Sequence, residues 1–548
     1  MDDLPAWLLA LPDARTMRAI DRWAIEERST PSLDLMERAG TGVARVVDAL
    51  VPDGPVAVVC GKGNNGGDGL VAARLLREAG RDVAVVCAVS PQELAGDART
   101  NLERLPGEGP VTLEGRSWTE GSGNGAPGAG LPDGGRGWAS AAVLVDALLG
   151  TGFQSQPSGA VAQAIEAVNG AAKPVVSVDV PSGVDASTGV VSGVAVRATR
   201  TVTFHAAKPG LWINPGKSHA GEVATVDIGI PRGAPAGARI GLITPGVLGL
   251  LPRRTASSTK FVSGHVLVVG GSRGLTGAPR MAAAASMRAG AGYVTACVPE
   301  SLQPILASGE LPELMTLGLP EQDGALTEHG LPTIQEAAER GGALALGPGL
   351  GRSDRAFALA RALARVAEIA LALDADGLNA HAGRLGDLSA RGAPTVLTPH
   401  AGELGRLLEL DSSAIERERL RHVRAAAQES GAVVVLKGDD TLIADPSGRV
   451  AVSPGGSPAL ATAGTGDVLT GVVAALLAQG LDPFAAAAAG VWLHALAGRE
   501  AARRAGSAEG VIASDVIAAL PAVRAAEAGL DAGAAGASAR DLQGALAR

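Results

Sequence analysis

The sequence predicts an α/β protein built from two domains, each with a sheet of parallel type. Short, continuous apolar runs of strand length, such as Val56–Cys60, alternate with segments that have the apolar spacing of helices. The runs form two series, separated near residues 231–245 by a stretch that begins with prolines and a glycine. A chain of 548 residues is also too long for one ordinary domain. We therefore expect one domain over residues 1–235 and a second over residues 236–523.

Two further stretches have the composition of unstructured chain. Residues 107–138 are rich in Gly, Ser and Pro, which predicts a flexible surface insertion within the first domain. Residues 524–548 combine Ala, Gly and charged residues without apolar periodicity, which predicts a disordered tail. Apart from the termini, the tip of the insertion is expected to be the site most sensitive to proteases.

Charge and cysteine content narrow the classes of function. A net charge of −9 argues against a protein that binds nucleic acid or a membrane surface. The three cysteines lie in apolar runs and are expected to be reduced core residues. The chain start lacks the basic residues of a signal peptide, and the Ala-rich run 484–497 is too short to span a bilayer. These features predict a soluble, cytoplasmic protein.

In the first domain, a helical region over residues 13–50 precedes the strands. Three of the strands are followed by a glycine-rich loop with a carboxylate in it or at its start. The first loop, residues 61–69, contains Asp68, and the other two loops begin after Asp146 and Asp179. A helix is predicted to begin at Leu70. Ligands of open α/β sheets bind at the carboxyl ends of strands, so these loops predict a site there. The predicted strands are Val56–Cys60, Val83–Val89, Val143–Leu148, Val175–Val180 and Thr201–His205.

The first site suits a diphosphate, because glycines at a helix start let an anion approach the backbone N–H groups. The loop 61–69 is not the dinucleotide fingerprint, since its glycines have a different spacing. The segments 63–70, 146–152 and 179–183 resemble the NAD(P)H-hydrate epimerase family (YjeF N-terminal domain), over about residues 10–230. The resemblance implies a Rossmann-like α/β/α domain that binds the hydrated form of NADH or NADPH and a K⁺ ion.

The same resemblance implies roles for individual residues. Asn65, Asp146 and Ser182 would surround K⁺, since hard oxygen ligands suit a hard cation. Epimerisation needs proton transfer, for which our hypothesis is that Asp179 or Asp146 is the general acid–base. The residues implied to hold the hydrate are Asn64, Asn65, Gly66, Gly67, Asp68, Gly150, Thr151, Gly152, Phe153, Gln154, Ser155, Gln156 and Asp179.

In the second domain, strand ends again carry Gly, His or Asp residues, which predicts a crevice at one edge of the sheet. Lys437 directly follows a buried strand and needs a partner there, for which a nucleotide phosphate is suitable. His400 follows a Thr-Pro turn beside Glu403, where it is either a ligand contact or an ordinary packed or exposed imidazole. The predicted strands are His265–Val269, Tyr293–Val298, Ala343–Leu346, Ala370–Asp374, Thr395–Thr398 and Val433–Leu436.

The stretch from Ala463 to Asp467 places a small-residue turn directly before an amphipathic helix that runs to Gln479. A helix start leaves N–H groups unpaired and carries partial positive charge, and Gly464 and Gly466 let an anion come close. Asp467 lies beside this anion pocket, where its carboxylate could take a proton from a substrate hydroxyl.

These motifs resemble the ADP-dependent (S)-NAD(P)H-hydrate dehydratase family (YjeF C-terminal domain), over about residues 260–519. The resemblance implies a ribokinase-like α/β domain, and the two halves together resemble bifunctional NAD(P)H-hydrate repair enzymes. The implied ligands are the hydrates NADHX and NADPHX, and ADP with Mg²⁺; a homo-oligomer is also expected. The hydrate would meet Ala282, Gly349, His400 and Asp467, and the nucleotide would meet Lys437, Gly438, Asp439, Asp440, Thr441 and Gly466.

Local chemistry suggests how the second site would work. Hydroxide is a poor leaving group, so phosphorylation of the ring hydroxyl would make loss of water possible. Asp467 would act as general base, and the amides of the turn would stabilise the transferred phosphoryl group.

Two alternative functions stay open. A ribokinase-like kinase for a small alcohol, fused to a ligand-binding domain, would use the same turn but gives the first domain no obvious role. A nucleotide-binding sensor without turnover would not need the carboxylates of both sites.

Overall fold

The computed structural model describes residues 4–112, 140–235, 237–309 and 311–526. Most of the predicted insertion (113–138) and of the predicted tail (527–548) lies outside this part of the chain. By their internal contacts, the described residues form two compact units: residues 10–240, and residues 4–9 together with 241–526. No helix in the described ranges is long and apolar enough to cross a membrane.

The first unit contains a parallel sheet, with seven strands in the described part of the chain. The strand order reverses beside Val56–Cys60, since the next strand in sequence lies on one side of it and Val143–Ala147 lies on the other. Such a switch point opens a crevice at the strand ends. The order across the sheet is Val111–Thr112, Val83–Cys87, Val56–Cys60, Val143–Ala147, Val175–Val178, Arg200–Phe204 and Glu222–Val226.

Helices cover this sheet, and the central strands Val56–Cys60 and Val143–Ala147 are buried at every residue. Cys60 and Cys87 are free thiols within these buried layers, as predicted. The predicted helical region 13–50 is interrupted by one π-helical turn, Trp23–Glu27, and by Pro31. The α-helices are Ala14–Arg22, Ser32–Leu50, Asn64–Glu78, Gly96–Glu103, Gly159–Gly170 and Lys217–Ala220.

The glycine-rich segment after the first central strand is helical, which corrects the predicted loop. The helix begins at Asn64, six residues earlier than expected. Its glycines serve close packing: a Cβ on Gly66 would lie 2.1 Å from the carbonyl oxygen of Gly61, and one on Gly69 would lie 2.5 Å from Ala147. These glycines therefore bring the first turns of the helix against the strand ends that form the crevice.

The second unit contains a mixed sheet with eleven strands in the described ranges. Its central strands are parallel, and the order reverses between His265–Val269 and Ala343–Leu346. Two antiparallel strands that were not predicted extend the sheet beyond Val433–Leu436. The order is Leu8–Ala10, Ile240–Ile243, Val450–Val452, Leu442–Ala444, Val433–Leu436, Thr395–Leu397, Ala370–Leu373, Ala343–Leu346, His265–Val269, Tyr293–Pro299 and Met315–Leu319. The α/β fold class is confirmed in both units.

The helix Thr465–Ala478 is not amphipathic, contrary to the prediction. Every residue from Val468 to Leu477 is buried, because the helix lies between the sheet and three other helices. Its start has the predicted turn, with Gly464 at a φ of +88° and Gly480 beyond its end at +89°. The α-helices are Gly277–Arg288, Gln303–Ala307, Leu331–Ala338, Asp354–Val366, Ala375–Asn379, Ala401–Leu408, Ser412–Arg417, Arg419–Ser430, Thr465–Ala478, Pro483–Ala505 and Ala513–Ala526.

Some residues of the two stretches that were predicted to be unstructured belong to a helix or a strand. Residues 524–526 belong to the helix Ala513–Ala526, where the Arg524 guanidinium donates to the carbonyls of Ala289 and Pro252, each at 2.6 Å. In the first unit, Val111–Thr112 pairs with the edge of the sheet. Hydrogen bonds of the backbone and of a side chain therefore order residues that composition alone assigns to a flexible insertion and a disordered tail.

Candidate active sites

A cavity of about 700 Å³ lies at the switch point of the first sheet, within the size range of small-molecule sites. It contains most of the side chains that the sequence singled out there. Gly66 and Gly67 are buried in the helix instead, and residues 154–156 are exposed and do not line the cavity. The sequence-predicted residues that line it are Asn64, Asn65, Asp68, Gly150, Thr151, Gly152, Phe153 and Asp179.

Asp179 forms a buried ion pair at this cavity. One of its carboxylate oxygens lies 2.6 Å from Lys208 Nζ, and the other accepts a hydrogen bond from the Thr151 hydroxyl. Lys208 is 2% exposed and also donates to the Thr203 hydroxyl at 2.8 Å. Burial by itself would raise the pKa of Asp179, but Lys208 and the hydroxyl donors outweigh it and the pKa is lowered. Asp179 is therefore a carboxylate held in its ionised form.

Asp146 has different surroundings and does not line the cavity. It is fully buried and accepts hydrogen bonds from the Ser182 hydroxyl at 2.5 Å, the Ser182 N–H at 2.9 Å and the Ser177 hydroxyl at 2.9 Å. Burial raises the pKa of Asp146, and these donors oppose the shift. With its oxygens occupied in this way, Asp146 holds the loop at Ser182 in place and is poorly placed for proton exchange with a ligand.

Asn65 lies between this network and the cavity. Its side-chain N–H donates to the Leu149 carbonyl at 2.9 Å, and the N–H of Leu149 donates to the Ser182 hydroxyl at 2.9 Å. Asn65 Oδ1 is buried without a hydrogen-bond partner among the described residues. A buried amide oxygen without a donor is costly unless something else binds it. The structure thus brings Asn65, Asp146 and Ser182 into one cluster that contains an unused oxygen.

Two more carboxylates face the same cavity. Asp68 is 9% exposed, and no hydrogen-bond donor to its side chain is found in the described ranges. Burial raises the pKa of Asp68 well above its usual value, and the charges of Asp179 and Asp21 raise it further against Lys208. Burial also raises the pKa of Asp21, and the charge of Lys208 opposes this shift. Three carboxylates thus share one buried ammonium group.

In the second unit, the ends of three parallel strands bring charged side chains together. Lys437 Nζ lies 2.8 Å from an Asp374 oxygen and 3.6 Å from a Glu403 oxygen. The other Asp374 oxygen accepts from the Thr470 hydroxyl at 2.6 Å. Burial alone would lower the pKa of Lys437, but Asp374 and Glu403 outweigh it and the pKa is raised. Lys437 is 22% exposed, so a charged ammonium group remains open to a ligand.

Asp467 stands in the first turn of the helix Thr465–Ala478, next to this charged cluster. Burial raises the pKa of Asp467 to about 7, with Asp374 and Glu403 adding to the shift and Lys437 opposing it. Gly466 also lies beside this charged cluster, since a Cβ added to Gly466 would lie 3.7 Å from Lys437 Nζ. A helix N-terminus, an ammonium group and a carboxylate that titrates near neutral pH therefore meet at one point.

The residues predicted to meet the hydrate in this unit differ in exposure. His400 caps the helix Ala401–Leu408, accepting from the Gly402 N–H at 3.0 Å through Nδ1, and 54% of its side chain is exposed. Gly349 has a φ of +63°, and its carbonyl accepts from Ser272 at 3.0 Å. Ala282 is fully buried beneath Gly471, which corrects the expectation of a ligand contact: it offers no surface to a ligand.

The predicted nucleotide loop, residues 437–441, is held from below by a buried ion pair. Arg419 Nε lies 3.0 Å from an Asp440 oxygen, and both side chains are 2% exposed. The Thr441 hydroxyl donates to the Gly438 carbonyl at 2.6 Å. The side chain of Asp440 therefore faces Arg419, whereas Gly438 and Asp439 are exposed.

Sequence reasoning assigned no role to several residues that the structure places at the two sites. Lys208 lies four residues beyond the strand Arg200–Phe204, and the reasoning applied to Lys437 could have found it. Asp374 was predicted only as the last residue of a strand, and Glu403, three residues beyond His400, was given no role. Asp21 lies on the helix Ala14–Arg22, far from any glycine-rich loop, and no sequence signal points to it.

Comparison with known proteins agrees with this division into two sites. Residues 32–210 match the family model for the YjeF-related protein N-terminus, and residues 266–522 match the model for NAD(P)H-hydrate dehydratase. The chain is similar to a solved ADP/ATP-dependent NAD(P)H-hydrate dehydratase from Bacillus subtilis: 31% identity, covering 52% of this chain and 98% of that one, with a TM-score of 0.45.

Curated relatives extend over both halves. The bifunctional NAD(P)H-hydrate repair enzyme Nnr of Moorella thermoacetica is 42% identical, covering 93% of this chain and 96% of that protein. The enzyme of the same name from Salinibacter ruber is 43% identical, covering 93% and 95%. Since identity at this level runs through both halves in a single chain, the protein belongs to the family of bifunctional NAD(P)H-hydrate repair enzymes.

Proposed function

We propose that this protein repairs hydrated NADH and NADPH with two separate active sites. The first unit interconverts the R and S epimers of the hydrate. The second unit converts the S epimer back to the reduced coenzyme, using ADP as the phosphoryl donor. The observation that carries this proposal is the meeting of Asp467, Lys437 and the start of a buried helix at one strand edge.

At the second site, the chemistry begins with the hydroxyl of the hydrate. Asp467 accepts the hydroxyl proton, and the alkoxide oxygen attacks the terminal phosphorus of ADP. A carboxylate with a pKa near 7 suits a general base at neutral pH. Lys437 and the N–H groups of the turn at Gly464–Gly466 hold the phosphoryl oxygens. AMP departs as the phosphoryl group is transferred to the hydroxyl oxygen. The ring C–O bond of the resulting phosphate ester then breaks, inorganic phosphate leaves, and loss of a ring proton restores the double bond.

Mg²⁺ would enter this site with the nucleotide phosphates. Asp374 and Glu403 supply carboxylate oxygens beside Lys437, a donor type that Mg²⁺ prefers. When bound, the ion would neutralise phosphate charge. Of these residues, Lys437 is one that the resemblance to the dehydratase family implies for nucleotide binding.

At the first site, the cavity holds the hydrated ring against Asp179 and Asp68. A K⁺ ion fits the cluster beneath it, because Asn65 Oδ1 has no partner among the described residues. Asn65, Asp146 and Ser182 would hold the ion, which would balance the buried charge of Asp146. We further propose a cytoplasmic location and a homo-oligomeric state, as predicted from the sequence.

Matched variants at the two sites test the proposal. Asp467→Asn is expected to abolish the return of reduced-nicotinamide absorbance while epimer interconversion continues. Asp179→Asn is expected to stop interconversion, so that only the S epimer is repaired when ADP is added. The activities are followed by absorbance and by chromatographic separation of the epimers. If wild-type protein instead releases a stable phosphorylated alcohol, the second unit is a kinase and the proposal is wrong.

A further inference from the structure

The first cavity contains two carboxylates in opposite electrostatic settings. Asp179 is paired with Lys208 at 2.6 Å and accepts from two hydroxyl groups. Asp68 is buried in the wall of the same cavity, with neither a cation pair nor a hydrogen-bond donor in the described part of the chain. Such a difference in surroundings allows one site to keep one carboxyl group ionised and another protonated.

We propose that Asp68 is the general acid of epimerisation and that Asp179 is its general base. This inference rests on the proposed epimerase function of the first unit. It assigns Asp68 a catalytic role in place of the single acid–base residue considered from the sequence.

Charge balance at the cavity supports this assignment. The charge of Asp179 raises the pKa of both Asp21 and Asp68, and the ammonium of Lys208 acts to lower the pKa of all three carboxyl groups. The remaining cationic residues of the lining, Arg18 and Lys62, are exposed. Lys208 contacts Asp179, so a charged Asp68 would be a second buried anion without a partner. Burial of an unpaired charge is unfavourable, and the carboxyl takes up a proton instead.

In the proposed reaction, one water molecule leaves the ring carbon and another adds to its opposite face. Water adds to the reduced nicotinamide at the ring carbon bonded to nitrogen, so the hydroxyl of the hydrate lies next to the ring nitrogen. Asp68 donates its proton to this hydroxyl as the carbon–oxygen bond breaks, and the nitrogen lone pair forms a C=N bond. A water molecule leaves.

Water then adds to the opposite face of the same carbon, and the C=N electrons return to nitrogen. The extra proton of the added water passes to Asp179. Because that protonated oxygen is strongly acidic, a carboxylate of low basicity is a sufficient acceptor. The cycle closes when a proton moves from Asp179 to Asp68 through water in the cavity.

The pH profile of epimerisation tests the pair. For wild-type protein, kcat/KM should fall at low pH as Asp179 is protonated and at high pH as Asp68 ionises. Asp68→Asn should lower kcat/KM by about 10²–10⁴-fold and remove the high-pH fall, while the low-pH fall remains. Asp68→Glu should restore part of the rate together with the high-pH fall.

Controls separate the possible outcomes. Asp53→Asn, at an exposed position outside the cavity, should match wild-type protein. The ADP-dependent activity of the same chain should be unchanged in every variant, which shows that the second unit is intact, and the partial rescue by Asp68→Glu shows that substitution at this position does not unfold the first unit. Full epimerase activity in Asp68→Asn, or a high-pH fall that Asp21→Asn removes and Asp68→Asn does not, overturns the inference. Wild-type protein without epimerase activity would instead refute the proposed function.

Discussion

Replacement of Asp467 by Asn tests the proposed dehydratase chemistry most closely. The amide keeps the size and shape of the side chain, but it replaces one acceptor oxygen with an N–H donor and cannot accept the substrate proton. Removal of a general base typically lowers the rate by about 10²–10⁴-fold. ADP should still bind with at least wild-type affinity, because Lys437 and the helix start are intact and one negative charge near the phosphates is gone.

The pKa of Asp467 sets a second expectation. Only the ionised carboxylate acts as base, so kcat/KM should rise with pH and level off above a pKa of about 7. Between pH 7 and pH 5, the ionised fraction falls from about one half to about one hundredth. The rate should therefore drop roughly fifty-fold in wild-type protein, and it should be nearly independent of pH in Asp467→Asn.

Activity is measured as the return of reduced-nicotinamide absorbance from the pure S epimer, and ADP binding is measured by calorimetry. Asp354→Asn removes an exposed carboxylate at the start of another helix of the same unit and serves as the matched control. Turnover near the wild-type level in Asp467→Asn, or a wild-type profile that is flat between pH 5 and pH 7, would show that Asp467 is not the base.

Three further predictions concern the other charged clusters. Lys437→Met should raise the KM for ADP by at least about tenfold, because a charge-assisted contact to phosphate is lost; an unchanged KM in steady-state assays would argue against this contact. Lys208→Met removes the group that lowers the pKa of Asp179, so the low-pH fall in epimerase kcat/KM should move to higher pH, and an unmoved profile would contradict the pairing. Arg419→Met removes the buried cation that pairs with Asp440, which should lower the free energy of unfolding by about 3–5 kcal/mol in urea titrations, whereas a loss below about 1 kcal/mol would show the pair to be dispensable.

The sequence predicts the central strands well because these strands are buried on both faces. Val56–Cys60 and Val433–Leu436 are continuous apolar runs, His265–Val269 is apolar after its first residue, and the bounds of all three match the structure. The short antiparallel strands Leu442–Ala444 and Val450–Val452 were missed. They have three residues each, too few for a pattern to emerge from local sequence.

Helix boundaries failed where tertiary packing decides the conformation. The segment from Asn64 to Gly69 has the composition of a loop, yet it forms the start of a helix because its glycines allow contact with neighbouring backbone. The apolar stripe after Asp467 suggested an amphipathic helix. Its other positions are Ala, Gly and Thr, which pack equally well inside, and the helix is buried on all sides.

The candidate sites were foreseen through the residues that stand at strand ends, since parallel strands bring these ends to one edge. Asp179 and Lys437 were identified by this rule, and both are in ion pairs at that edge. The opposed environments of Asp68 and Asp179 were not foreseeable. They depend on Lys208 and Asp21, which approach from distant elements, and burial and pairing of a carboxylate are properties of the folded chain.

The central claim is that one chain carries two clefts for the same damaged coenzyme, and a single mass balance tests it. Purified protein is incubated with a mixture of R and S hydrates, with and without ADP, and all products are separated. Without ADP, a mixture enriched in one epimer should relax to the epimer equilibrium and form no reduced coenzyme. With ADP, both epimers should be converted completely to NADH or NADPH, with one ADP consumed for each molecule repaired. Complete survival of either epimer in the presence of ADP, or accumulation of a phosphorylated hydrate, would contradict the account.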